Sequence, residues 1–129
     1  MIQAHADAFV TFLTAADVTF FVGETPNLTS GSYVVVWPDA GGFAATDLCM
    51  DSDQAAATFT LHGVGGSWWQ ANNAMDRARA AVLDKVPDVA GRKCWPIRQL
   101  TGGRGPLQAQ DDPQIWTVPA QFRFHSVPA

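Results

Sequence analysis

The segment from Ala56 to Arg92, AATFTLHGVGGSWWQANNAMDRARAAVLDKVPDVAGR, confines the chain more tightly than any other part of it. Phe59 and Leu61 alternate with Thr58, Thr60 and His62, a period of two that marks a strand buried on one face only. Gly63, Gly65 and Gly66 then break the run. Ser67 and Gln70 form an S-x-x-Q capping box, in which the hydroxyl accepts a free N–H of the first helical turn and Gln70 reaches back to the amide of Ser67. Behind the cap, Ala71, Ala74, Met75, Ala78, Ala81 and Val82 recur at three- and four-residue steps. They make one narrow apolar stripe, opposed by Asn73, Asp76, Arg77 and Asp84. Pro87 and Gly91 end the helix. No residue here is placed to perform chemistry. The unit is architectural, and it shifts the expectation from an enzyme towards an assembly protein.

A length of 129 residues fits one domain, 1–129, with a single sizeable core. The chain is 47% apolar with five tryptophans and eight phenylalanines, which excludes a disordered polymer. No apolar run approaches the ~20 residues of a membrane helix. The start, Met1-Ile2-Gln3-Ala4-His5-Ala6-Asp7, lacks the basic end and apolar core of a signal peptide, so a soluble domain made inside the cell is expected. The net charge is −4, and Glu24 is the one glutamate among the acids. Such a chain is a poor independent binder of nucleic acid, which requires clustered Lys and Arg on phosphates. An acidic surface is a drawback in a repressor but tolerable in a conduit through which DNA slides. Cys49 and Cys94 have no C-x-x-C spacing and no histidine at ligand distance. They read as small buried hydrophobes rather than as a disulfide.

Elsewhere, Ala6, Phe9, Val10 and Leu13 share one face of an opening helix over 3–14. Val18–Val22 reads as a strand closed by Gly23, and a polar loop follows over 24–32. Tyr33-Val34-Val35-Val36-Trp37 is a near-continuous apolar run, expected as a central strand covered on both faces and stopped by Pro38. From Asp39 to Gln54 no period is visible, and loops of that length are commonly functional or flexible. Residues 93–100 form another strand, with Pro96 pushing it to a sheet edge or a bulge. A mobile turn over 101–106 and a short arm over 107–110 come next. Trp116–Ser126 closes the chain, with Val118, Ala120, Phe122 and Phe124 inward. The expected fold is α+β: a mixed, mainly antiparallel sheet of four to six strands with two helices packed on one face.

The order of these elements resembles the tail terminator (tail completion) proteins of long, non-contractile-tailed phages, the actinobacteriophage type in particular. The resemblance is carried by D-R-A-R-A-A-V-L-D over Asp76–Asp84, P-x-V-x-G-R over Pro87–Arg92, and Phe122-Arg123-Phe124-His125-Ser126. Residues 23–54 carry little of it. It implies a structural virion protein at the head-proximal end of the tail, assembled in the host cytoplasm. Its expected form is a homo-oligomeric, hexameric ring that caps the tube, ends its polymerisation and joins the tail to the head connector. The implied partners are the major tail tube protein and a head-completion protein, with DNA passing through the lumen unbound. No reaction, cofactor, metal or membrane is implied. A head-closure or adaptor subunit is the nearest alternative, and a ligand-binding or enzymatic α+β domain with a cleft beneath residues 39–54 is the more distant one.

The individual candidates read as follows. The Gly63–Ser67 turn precedes a helix but lacks the P-loop lysine, and Trp68 and Trp69 would crowd a phosphate, so it is a structural turn. Asp47, Asp51 and Asp53 match no calcium-loop spacing. They form a solvated acidic loop, which within the ring reading lines the lumen or rim and repels passing DNA. His5, His62 and His125 suit outward strand positions, and no nucleophile-elbow pattern surrounds Ser67 or Cys49. Trp68 and Trp69 project about 100° apart around the helix and cannot both follow the stripe. One packs inward and the other needs a neighbouring subunit, or both reach the core through the glycine turn. With Phe43 they are the candidate subunit interface. Gly102, Gly103 and Arg104 are the candidate partner-contact turn.

Overall fold

Two long strands form the axis of the molecule. β3 (Ala55–Gly65) pairs antiparallel with β7 (Trp116–Pro128) along its whole length, from Ala55 opposite Ser126 to Gly65 opposite Trp116. The computed structural model describes residues 2–23, 31–38, 55–101, 107–108 and 115–129. Ahead of β3 come α1 (Ile2–Ala15), β1 (Phe20–Val22) and β2 (Tyr33–Pro38). Between β3 and β7 lie α2 (Trp68–Val82), β4 (Arg92–Cys94), β5 (Arg98–Thr101) and β6 (Leu107–Gln108). The sheet order is β1-β2-β3-β7-β4, with β5 and β6 also on β7. β1 and β2 run parallel, and the other described pairs are antiparallel. β4, β5 and β6 follow one another along the same outer side of β7, so seven strand segments fill five strand positions. The fold is the expected α+β sheet.

Both helices cover one face. From β3 and β7, Phe59, Leu61, Val118, Ala120, Phe122 and Phe124 point towards them and are at most 5% exposed. α1 contributes Ala6, Phe9 and Leu13, and the Phe9 ring stacks on Phe59 at 4.2 Å between centroids. α2 buries Ala71, Ala74, Met75, Ala78, Ala81 and Val82, the whole stripe that its periodicity defines. On the opposite face Tyr33, Val35 and Val64 form a smaller cluster against Phe21 and Ile115. β2 is therefore covered on both sides over 33–36, as an unbroken apolar run requires.

Several boundaries differ from expectation, each for a visible reason. Gly63 and Gly65 do not break β3; they lie within it. A Cβ on Gly63 would sit 2.8 Å from the Ala71 carbonyl oxygen, and one on Gly65 2.6 Å from Gln70 Cβ and 2.7 Å from the Ala71 nitrogen. These glycines permit the helix backbone to touch the strand. The cap is also shifted: Ser67 Oγ accepts from the Gln70 amide at 3.2 Å, but the Gln70 side chain accepts from Gly66 rather than Ser67, at 2.9 Å. α2 stops at Val82, ahead of Pro87, because Asp84 turns to φ 64° and its amide leaves the helix for the Ile97 carbonyl.

The strand expected over 93–100 is split at Pro96. Trp95 still donates to the His125 carbonyl, whereas Ile97 donates to Lys85 at 2.8 Å and is fully buried. Proline supplies no ladder N–H, and the residue after it dives into the core. The arm expected over 107–110 is in part a strand, since Leu107 and Gln108 pair with Thr117 and Trp116.

Gly65→Ala is expected to lower stability by about 1–3 kcal/mol through overpacking, and Ser67→Ala by about 1 kcal/mol through loss of the cap. Asn73→Ala, on the solvent side of α2, is expected to be near neutral. Thermal unfolding followed by circular dichroism measures all three. A Gly65→Ala protein as stable as the parent would show that α2 is not seated on β3.

Candidate functional site

Among the described residues, three places bring together side chains capable of chemistry or recognition: a buried polar cluster, a cleft beside β4 and β5, and an exposed aromatic pair.

The buried cluster joins α1 to the end of β7. Ser126 follows Phe122 and Phe124 in inward phase and is fully buried. Its Oγ lies 2.7 Å from His5 Nε2 and accepts from Arg92 Nε at 2.9 Å, while Arg92 Nη2 donates to the Ser126 carbonyl at 3.2 Å. His5 is 2% exposed and stacks on Phe124. A Ser–His contact invites a hydrolase reading, and the surroundings oppose it. A nucleophile must reach a substrate, whereas Ser126 is fully buried with its hydroxyl engaged by His5 and Arg92. The cluster satisfies buried polar groups, and among the described side chains none is buried without a partner.

His5 therefore departs from the outward-strand expectation: it is a helix residue turned inward, because the Ser126 hydroxyl and the Phe124 ring give its polar and aromatic parts partners. His125 is exposed, and His62 is half-buried on the face away from the helices. Two signals in the sequence point to the cluster. Ser126 is a polar residue in the buried phase of a strand, and Arg92 ends the P-x-V-x-G-R segment.

The cleft has a volume of about 350 Å³ and is lined, among the described residues, by Trp95, Pro96, Arg98, His125, Ser126 and Val127. It exists because Pro96 interrupts the edge strand. Lys93 Nζ sits 5.6 Å from the centre of the Trp95 ring, and Arg98 is paired with Asp84. No carboxylate lines the cleft among the described residues. No group of three or more His, Cys, Asp or Glu is placed to hold a metal among the described residues. No described helix is long and apolar enough to cross a membrane.

Cys94 lies partly buried against the main core and carries a free thiol. Burial raises its pKa above the ordinary thiol value, against a smaller opposing effect of its backbone hydrogen bond at Val89. This setting disfavours the thiolate, the reactive form of cysteine.

Trp68 and Trp69 are 51% and 68% exposed, edge-to-face with their ring centres 5.5 Å apart. Neither reaches the core. β3 ends at Gly65 and its glycines receive Gln70, Ala71 and Met75, so the first turn of α2 overhangs the end of the sheet. At the same turn the Gly66 and Gln70 amides are occupied by the capping side chains, which fits a structural turn rather than a phosphate loop. Phe43, the acidic Asp47, Asp51 and Asp53, Cys49, and the Gly102-Gly103-Arg104 turn lie outside the described residues.

No family model matches the chain, and no curated protein sequence matches it. Solved structures do. A chain from the virion of a native gene transfer agent particle shares 13% identity at a TM-score of 0.63, over 92% of this chain and 84% of that one. A second protein, known by a sequence designation alone, shares 16% identity at a TM-score of 0.64, over 100% of this chain and 96% of that one. At such identities the likeness establishes a common fold.

Burial disfavours the charged form of His62 and holds its pKa below the ordinary 6.5. The unfolded chain therefore takes up this proton first as pH falls. The contribution of His62 is at its full value above about pH 6.5 and is lost as pH falls through the lower folded pKa. Chemical denaturation at a series of pH values should show His62→Gln losing less stability on acidification than the parent. Parallel curves would mean that His62 is solvated.

Proposed function

We propose that the chain is a structural subunit of a phage-type virion, and within that class a tail terminator. Six copies form a ring that caps the tail tube, ends its growth and joins the tail to the head connector. The observation that carries the class is the whole-length fold likeness to a chain of the gene transfer agent virion. The finer assignment is supported by the resemblance of Asp76–Asp84, Pro87–Arg92 and Phe122–Ser126 to tail terminators.

Those segments have identifiable work in the fold. The first is the second half of α2 with its terminating turn, the second leads through Gly91 at φ 73° into Arg92, and the third is the buried end of β7. They hold the helix, the edge strand and the central strand in one arrangement. The proposal assigns no reaction to the chain; function lies in its surfaces. Trp68 and Trp69 are proposed as an assembly contact with a neighbouring subunit, since indoles are enriched in interface hot spots for their large apolar area and their N–H.

Electron microscopy of isolated tails, with the protein marked by an antibody or a mass tag, tests this reading. A terminal density of six subunits at the head-proximal end is expected. Label at the tail tip would sink the assignment, and label retained on tail-less heads would favour a head-closure subunit. Trp68→Ala with Trp69→Ala should leave melting nearly unchanged, because both rings are exposed, and should weaken assembly.

A further inference from the structure

The charges of this chain are divided along its length and across its sheet. Up to Met75 there are seven acids and no lysine or arginine; all eight basic residues follow, with five acids. The net charge of −4 is thus the sum of −7 and +3. The sheet order places β1 on one edge and β4 with β5 on the other. On the first side, Asp7 and Asp17 are exposed along α1 and the turn into β1. On the second, Lys93 and Arg98 are exposed, with Arg123 on the adjoining β7. Asp84 and Asp88 belong to this side too, Asp84 pairing with Arg98, and together these described residues leave it net positive.

Each edge also carries uncovered apolar surface. Val22 on β1 is 43% exposed and borders a hollow of about 180 Å³ lined, among the described residues, by Gln3, Ala6, Asp7, Val10, Val22 and Pro38. On the basic edge Trp95 is 43% and Leu100 42% exposed. The outer sides of β1 and of β4 with β5 pair with no described strand. Open edges with apolar side chains are sites for another chain.

We infer that the basic β4–β5 edge of one copy docks on the acidic α1–β1 edge of the next, head to tail. A second copy is the occupant because, among the described residues, each edge has its electrostatic complement on the opposite side of the same molecule. Pairing like edges in a two-fold dimer would set acid against acid or base against base. A contact between two different surfaces repeats, and it closes into a ring when the rotation permits. Trp68 and Trp69, at the end of the sheet where α2 starts over β3, add a second assembly contact beside these edges. The inference rests on the ring reading and specifies which surfaces face each other.

The test is a charge exchange. One variant carries Lys93→Glu and Arg98→Glu; the other carries Asp7→Lys and Asp17→Asn, asparagine being tolerated at the positive φ of residue 17. Each retains one native edge. Sedimentation and cross-linking should show self-association of either variant alone reduced at least tenfold, with melting close to that of the parent. An equimolar mixture should recover mixed assemblies, and raising salt should weaken association of the parent. If the parent assembles and both variants assemble equally well, the edge assignment is overturned and the ring reading stands. A mixture that stays unassembled also overturns the assignment. A parent that never self-associates, alone or on isolated tail tubes, removes both.

Discussion

At Gly63 and Gly65 the backbone of β3 meets the first turns of α2 with no side chain between them. Helices normally stand off a sheet by the thickness of their side chains. Here the small stripe of Ala71, Ala74 and Ala78 keeps the helix close along its length, and Met75 and Val82 fill the space that remains. Because α2 is drawn in, α1 must lie beside it. Phe9 then reaches Phe59, and Phe59 in turn stacks with Phe124 on β7 at 6.0 Å. Each fully buried phenylalanine contributes about 1.5–3 kcal/mol by removal from water. That gain depends on the helix position the glycines allow. The aromatic core is thus downstream of two missing side chains.

The outer strand shows how a second constraint is handled. Pro96 ends one run of pairing with β7, yet its neighbours lose little. Trp95 donates to His125, and Ile97 exchanges backbone bonds with Asp84 and Lys85 just beyond α2. The interruption therefore fastens the end of the helix to the edge of the sheet and places Ile97 in the core. Arg92 does the corresponding work one turn earlier, joining Ser126 and through it His5 of α1. The first helix, the last strand and the edge strand are held by one buried polar cluster. Such a cluster costs desolvation and gains geometric definition, since only one arrangement satisfies all of its members.

The legible parts of the sequence were those governed by period. The stripe of α2, the inward residues of β7 and the doubly covered β2 follow from three- and four-residue or two-residue spacing, and local periodicity survives folding. The misplaced features depend on contacts between distant segments. Gly63 and Gly65 look like breakers because a glycine in a strand has no local explanation; its reason is the helix across from it. His5 looks like a surface residue because Ser126 is 121 positions away. Trp68 occupies a stripe position by spacing, but the strand beneath it has already ended. The surface candidates at Phe43, Asp47, Asp51, Asp53 and Gly102–Arg104 lie outside the described residues.

These features bear on why surfaces rather than a cleft carry the proposed role. The His5–Ser126 pair is buried, and among the described residues the cleft on the edge strand is lined by an indole, a proline, Arg98, His125, Ser126 and Val127, with no carboxylate. An enzyme concentrates its polar groups where water can be excluded around a substrate. This chain instead places its polar cluster where it locks elements together and leaves indoles and charges outside. A ring subunit requires that distribution. Its core must be complete before assembly, so that each copy arrives folded. Its contacts can then be individually weak, because in a closed ring the last subunit is held on two sides at once and the joining of the ends is intramolecular. Unlike edges serve that purpose better than one strongly apolar patch, which would bind itself without direction. In the proposed ring the charge division of this sheet would supply direction at little cost to the fold, since exposed charges contribute little to stability.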